Sequence, residues 1–435
     1  MKKPELTAPA GNTEKLKYAL AFGADAVYAG QPRFSLRARE NGFKELDDIA
    51  EAIDYVHTQG KRFYLTSNII PHNNKVESFK RSLYDYMELG PDALIMTDPG
   101  MIQFVRRNFP GQAIHLSVQA NCTNWVTARF WYELGISRII LSRELNISEI
   151  KLIHEKVPEV ELEVFVHGAV CMAYSGRCLL SNYLSHRDSN QGVCSNACRY
   201  KYQLYAGNER QSDRYVPVDG EFYLKEQENA GADLMHLDED QYGAYILSSR
   251  DICAIDYLEQ LRDAGAVSFK IEGRTRSLYY LCQAVRSYKG AVDDLETGNG
   301  ISPEHRETLD KLDSRGYFPG FYGRNKEPAQ NYATTRVLSE SAKVAAVVRG
   351  YDKVTGQALI SVKGCVEEGD RLEAVTPAGS DLFQATGLRN HKGQEVQVLS
   401  PGLENCRISM REDPGAFCML VKILESKTEK LGKEV

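Results

Sequence analysis

Residues 4–30 read PELTAPAGNTEKLKYALAFGADAVYAG, and their pattern decides the fold. A β-prone run at 4–8 leads into apolar residues at helical spacing over 13–22, and a second β-prone run, ADAVYA, follows at 24–29. Strand, helix and strand in this order make a parallel pair joined by a crossover helix.

The alternation continues outward from that unit. Further strands are expected at 62–67 (RFYLTS), 92–97 (DALIMT), 113–119 (AIHLSVQ), 138–142 (RIILS), 161–166 (ELEVFV) and 267–272 (VSFKIE). Helices are expected at 45–59, 76–89, 99–108, 124–134, 146–156, 252–264 and 276–296. Eight strand–helix pairs give an α/β chain with a TIM-type (β/α)8 barrel over residues 1–300. An open doubly wound sheet would carry G-x-G-x-x-G after its first strand, where this chain has PAGNTEK.

One connection breaks the rhythm. Residues 168–250 separate the seventh strand from its helix, and this insertion starts at the strand's C-terminal end, the face where barrels of this kind keep their active sites. Beyond 300, a linker is expected over 301–339. Short alternating segments (KVAAVVRGY, QALISVKG, DRLEAVTP, QEVQVLS, RISMR, CMLVKI) then predict a small C-terminal β-barrel over 340–428, with a charged tail at 429–435.

Composition narrows the function classes. With 43% hydrophobic and 26% charged residues among 435, the chain is an ordinary globular protein large enough for two domains. No run approaches the ~20 apolar residues of a membrane span, so a cytoplasmic protein without a membrane partner is expected. A net charge of -6 argues against a polyanion-binding surface over the whole molecule and leaves room for a local basic patch.

In a reducing compartment, clustered cysteines point to metal or catalysis rather than disulfides. The insertion contains CMAYSGRC and GVCSNACRY, which place Cys171, Cys178, Cys194 and Cys198 in a C-x6-C-x15-C-x3-C pattern across 28 residues. Four thiolates suit zinc or an iron–sulfur cluster, and spacing alone leaves both open. Cys253, at the return to the barrel, is an alternative fourth ligand. Cys122, Cys282, Cys365, Cys406 and Cys418 stand alone in apolar surroundings and are expected to pack.

The strand ends supply the remaining site residues. Asn12, Asn68, His72, Asp98, Gln119, Asn121, Arg143 and Glu144 follow strands one, three, four, five and six. Strand seven ends on His167, whose imidazole is expected to titrate near neutrality, and strand eight on Lys270, Glu272, Arg274 and Arg276. The two arginines can grip a phosphate or a pair of carboxylates. His167, Glu272 and Arg274 are the catalytic candidates. Asn68, Gln119, Asn121, Arg143, Lys270, Arg276 and Arg199 are the substrate-binding candidates. In the insertion, Arg177, Arg187, Arg199 and Lys201 alternate with Tyr183, Tyr200 and Tyr202, a mixture suited to stacking a single-stranded base.

The run EVFVHGAVCMAYSGRCLLS at 163–181 resembles the signature of the peptidase U32, or collagenase-like, family. PELTAPAGN, GADAVYAG, HLSVQANCTN, LSSRDICAIDYL, FKIEGRTRS and GFYG extend the resemblance over the barrel and into the linker, and the C-terminal part looks like the family's accessory domain. The chain looks most like the tRNA-hydroxylating members. That resemblance implies prephenate-dependent hydroxylation of wobble uridine 34 to 5-hydroxyuridine, with the tRNA anticodon loop as partner and prephenate as co-substrate. Relatives that hydroxylate the ubiquinone ring carry a 4Fe-4S cluster on cysteines of this signature, which implies the same cofactor here in place of zinc. Self-association or pairing with a relative is also in view. Two other readings compete: a peptidase, and a non-catalytic iron–sulfur or RNA-binding module. The chain has no H-E-x-x-H, and His167 with Cys171 is the only dyad a cysteine protease could use. A thiol that ligates metal is not also a free nucleophile.

Overall fold

The structure is a computed structural model that describes residues 3–36, 38, 41–171, 173–199, 249–298, 300–323 and 342–423, together with six short strands between 205 and 244. Eight parallel strands form the barrel: β1 (Glu5–Pro9), β2 (Ala26–Gly30), β3 (Arg62–Ser67), β4 (Ala93–Met96), β5 (Ile114–Leu116), β6 (Arg138–Ile140), β7 (Glu161–Ala169) and β8 (Ala266–Ile271). Each pairs with its neighbours in order, and β8 pairs with both β7 and β1, which closes the ring. The TIM-type architecture expected from the alternation is the one observed.

Around it lie α1 (Thr13–Ala21), α2 (Leu46–Thr58), α3 (Asn73–Glu88), α4 (Pro99–Asn108), α5 (Trp125–Glu133), α6 (Ile147–Lys156), α7 (Leu258–Asp263) and α8 (Leu278–Thr297). Their starts are written in the sequence. Asn12, Asp98, Asn124, Asn146 and Ser277 each accept a first-turn backbone N–H, satisfying donors that the helix cannot. Asn12 and Asp98, which the sequence places at the mouth, are therefore helix caps.

Three boundaries differ from expectation. The helix expected from 252 begins only at Leu258, because Asp251–Cys253 is a strand that adds antiparallel to β7. The fifth strand stops at Leu116, and Val118–Ala120 turns into a 3-10 helix. The expected linker is partly structured: Pro303–Asp310 is helical, and Tyr317–Phe318 pairs parallel with Asp251–Cys253. The rest of that linker, 324–339, lies outside the described residues.

The C-terminal unit is a six-stranded antiparallel sheet curled around its own apolar core, which includes Ile360, Leu372, Ile408 and Leu420. It is not independent of the barrel. Val347, Val375, Met419 and Val421 join the barrel's core, and Tyr18 of α1 meets Phe417 edge-on with centroids 5.2 Å apart. No helix among the described residues is long and apolar enough to cross a membrane.

Candidate active site at the barrel mouth

The lumen below the mouth is filled with charge, and that charge is paired. Glu163 on β7 is fully buried; it receives Lys270 at 2.6 Å, the Ser268 hydroxyl at 2.9 Å and Arg138 at 3.2 Å. Arg138 also holds Glu5 at 2.6 Å and Glu161 at 2.7 Å. Burial alone would raise the Glu163 carboxyl, but Lys270 and Arg138 outweigh it and hold the group down at about 2. His115 lies among the same cations, and burial with Arg138 pushes its imidazole down to about 3, so it is neutral at physiological pH.

Above this floor the strand ends converge on a chamber of about 130 Å³. Asn68, Gln119, Arg143, Lys270, Glu272 and Arg274 from the sequence reading all line it, as does Cys171. The Lys270 ammonium lies 4.2 Å from the Tyr28 ring centroid, and the Arg143 guanidinium 4.0 Å from that of Phe165. Two buried polar atoms at this level, the Thr66 hydroxyl and Arg143 Nε, have no hydrogen-bond partner among the described residues. Asn68 is held in place, accepting from Leu36 N at 3.0 Å and donating to the Ser117 hydroxyl at 3.2 Å.

A second, wider groove of about 370 Å³ adjoins the chamber and shares Arg143 and Cys171 with it. Tyr174, Phe318 and Phe321 give it an aromatic wall, and the rings of Phe318 and Phe321 meet edge-on at 6.1 Å. Tyr174 and Phe321 are exposed. Sequence reasoning missed this wall, although its phenylalanines stand in the aromatic run GYFPGFYG. It also missed Tyr28 and Thr66, whose positions on the inward face follow from the two-residue period of a strand.

The cysteine segment roofs the mouth. Ile70 N donates to Asn190 O at 3.2 Å, and the Gln191 side chain donates to Ile70 O. Gly176, at φ +75°, lies so close to the Gln119 carbonyl that a Cβ there would run into it. Within the segment, Ser181 donates to Arg187 O at 2.6 Å and accepts from Ser195 N at 2.8 Å. Arg187 donates to Val193 O at 3.1 Å and Cys194 O at 3.4 Å, and Ser189 donates to Cys178 O at 2.7 Å. Arg187, expected among the base-stacking cations, thus braces the backbone at Cys194. Tyr183 is exposed as a stacking residue needs to be. Tyr200, Lys201, Tyr202 and the side chain of Arg199 lie outside the described residues.

The ten cysteines form no disulfide. Cys171 is exposed and Cys178, Cys194 and Cys198 are partly exposed, whereas Cys122, Cys253, Cys282, Cys406 and Cys418 are buried. Burial pushes the Cys122 thiol up to about 12 and the Cys253 thiol up to about 11, as for inert packing residues. Cys365, expected to pack, is exposed instead. Among the described residues no three His, Cys, Asp or Glu side chains are gathered as a metal-binding group.

Three sequence candidates stand apart from the chamber. His167 is buried behind the barrel wall among the rings of Tyr280, Tyr288 and Tyr317, and burial pushes its imidazole down to about 3 rather than leaving it near neutrality. The cause is a register shift: Lys270 pairs with Phe165 but Ile271 with His167, so an extra residue interrupts the inward alternation of β7. Arg276 is held by Asp251 at 2.6 Å. Asn121, in a left-handed backbone conformation, accepts from the Ser142 hydroxyl at 2.9 Å.

Comparison with known proteins fits this arrangement. Residues 11–332 match the model of peptidase family U32, and residues 340–420 match that of the peptidase family U32 C-terminal domain. The chain is 43% identical over 422 residues to tRNA hydroxylation protein P of Escherichia coli, covering 92% of both chains. It is 42% identical to tRNA hydroxylation protein P of Haemophilus influenzae, covering 91% of both. It is also 34% identical to a 23S rRNA 5-hydroxycytidine synthase of Escherichia coli, covering 66% of this chain and 39% of that one. A family model that spans most of the barrel, a second that spans the curled sheet, and relatives matched along nearly their whole length place this chain in peptidase family U32.

Proposed function

We propose that the chain is an RNA hydroxylase that converts the wobble uridine of tRNA to 5-hydroxyuridine, using prephenate as co-substrate and a 4Fe-4S cluster. The observation that carries this reading is the meeting of three features at one wall. A cationic chamber, an aromatic groove and Cys171 share that wall, in a chain closely similar to proteins named for tRNA hydroxylation.

The chemistry of the donor set suits a cluster, although no three of its thiols are gathered among the described residues. Cys171, Cys178, Cys194 and Cys198 lie on one roofing segment and are accessible, unlike the five buried thiols. Soft thiolates suit an iron–sulfur centre. Cys198 is favoured over Cys253 as fourth ligand, because Cys253 is buried beside Tyr288, which donates to its sulfur at 3.7 Å. When bound, such a cluster supplies one-electron chemistry that the side chains lack.

The protein's own groups bind and orient. Tyr174, Phe318 and Phe321 offer faces for an unstacked base, as enzymes that act on one base of a folded RNA require. Arg143 and Lys270 attract an anion next to it. The peptidase reading fares worse: His167 is buried among the rings of Tyr280, Tyr288 and Tyr317, whereas Cys171 is exposed at the mouth, so the two form no dyad.

The test is nucleoside analysis of tRNA from a strain lacking this protein, complemented with the wild type or with Cys178→Ala. The wild type restores 5-hydroxyuridine and Cys178→Ala does not. The variant purified under nitrogen also loses the broad absorbance near ~400 nm expected of a cysteine-bound cluster. Unchanged 5-hydroxyuridine in both the deletion strain and the Cys178→Ala strain ends the hydroxylase reading.

A further inference from the structure

The chamber and the groove share a wall but differ in chemistry. Three cations, Lys270, Arg143 and Arg274, line the chamber against one carboxylate, Glu272. The groove is aromatic, with only Arg143 and Glu144 charged. We propose that the chamber is a separate site for a small organic anion bearing one or two carboxylates, which binds without RNA, while the groove takes the base. The proposal rests on the RNA-hydroxylase reading above and divides its site in two.

Three observations carry it. The Thr66 hydroxyl and Arg143 Nε are buried at this level without a partner among the described residues, and a carboxylate accepts from both kinds of donor. Leaving such donors unmet is costly, so a ligand that meets them recovers that loss. Second, the cations are pre-positioned: Lys270 is fixed by Glu163 from below and by the Tyr28 ring, and Arg143 by the Phe165 ring. Those two rings also offer an apolar surface to the carbon skeleton of the ligand.

Third, size selects against a nucleotide backbone. About 130 Å³, just under the ~150 Å³ of a cavity that takes up benzene, suits a small acid but not a phosphodiester flanked by two riboses. The roof packs beside the chamber, where Gly176 and Gly192 press against the Gln119 and Ser35 carbonyls. The sequence reading paired Arg274 with Arg276 for anion binding. Asp251 takes Arg276 away, and Lys270 and Arg143 replace it.

The test uses the full chain. Calorimetric titrations of RNA-free protein with prephenate, succinate and inorganic phosphate are set beside gel-shift titrations with an anticodon stem-loop RNA. At least one carboxylate binds in the absence of RNA, with phosphate at least about tenfold weaker. Thr66→Val weakens carboxylate binding about threefold to tenfold and leaves RNA affinity within about twofold, and Phe321→Ala does the reverse. Arg143→Gln, on the shared wall, weakens both, and thermal melts show each variant folded. No carboxylate binding without RNA overturns the proposal, as does phosphate binding equally well. Equal loss of carboxylate affinity in Phe321→Ala and Thr66→Val overturns it too. These titrations contain no hydroxylation step, so their failure ends the two-site division alone, whereas unchanged 5-hydroxyuridine in the complementation experiment ends the hydroxylase reading and leaves them standing.

Discussion

The floor and the mouth of this barrel are built from the same strands, yet they treat polarity in opposite ways. On the floor, Glu163, Lys270, Arg138 and Glu5 satisfy one another within 3.2 Å, and of the floor groups named above His115 Nδ1 lacks a partner among the described residues. At the mouth, Thr66, Arg143 and Glu144 keep buried atoms without partners among the described residues. A folded chain normally pairs its buried polar groups, so the unpaired level is where binding energy is held in reserve. The paired level is scaffold, and Lys270 belongs to both: its ammonium closes the ion pair below and lines the chamber above.

The largest effect should come from breaking the floor. Glu163→Gln leaves Lys270 and Arg138 buried without their shared carboxylate, a loss of about 3–5 kcal/mol in urea unfolding. Adding Lys270→Gln should recover part of that loss, because the stranded charge goes with it; full additivity of the two costs would show that the pair is not coupled. Acid sharpens the same point. The Glu163 carboxyl is held at about 2 against an ordinary 4.5, so its contribution is complete above about pH 4.5 and lost as pH falls toward 2. His115, held at about 3 against an ordinary 6.5, weakens the fold from about pH 6.5 downward as the unfolded chain takes up the proton. Wild type therefore loses stability in both windows, and Glu163→Gln should keep the upper loss while flattening the lower one.

A smaller effect is expected at the roof. Gly176 combines φ +75° with contact against the Gln119 carbonyl, so Gly176→Ala should cost about 1–3 kcal/mol locally. Because the roof is held by a few hydrogen bonds, that cost should appear as faster hydrogen exchange over 173–199 with the global melt nearly unchanged. A drop in global melting temperature as large as that of Glu163→Gln would show that roof and floor unfold together.

The sequence made the barrel legible because parallel strands buried on both faces alternate with capped helices at regular intervals. Chamber residues such as Asn68, Gln119, Arg143 and Lys270 were legible for the same reason: strand ends project into the mouth. His167 was misplaced because one extra residue in β7 reverses the direction of side chains beyond it, and no periodicity announces a bulge. Arg276 was misplaced because its partner, Asp251, lies in a strand that the helical spacing after 252 concealed. The four cysteines share one segment, but no three of them are gathered among the described residues, and the segment's place on the roof depends on glycines whose contacts are all distant in sequence.

The smallest effect separates two threonines in the same lumen. Thr7 and Thr66 are both buried, on β1 and β3, and valine matches the shape of either. The Thr7 hydroxyl is 3.0 Å from the Ser268 hydroxyl and 3.2 Å from Glu5, so Thr7→Val should cost about 1–2 kcal/mol by removing a partner from a closed network. The Thr66 hydroxyl meets no partner among the described residues, so Thr66→Val should change the stability of ligand-free protein by about 0.5 kcal/mol or less, or raise it. Urea unfolding of the two variants side by side measures the difference directly. Equal costs would mean that the mouth is as fully paired as the floor, and the contrast between them would fall.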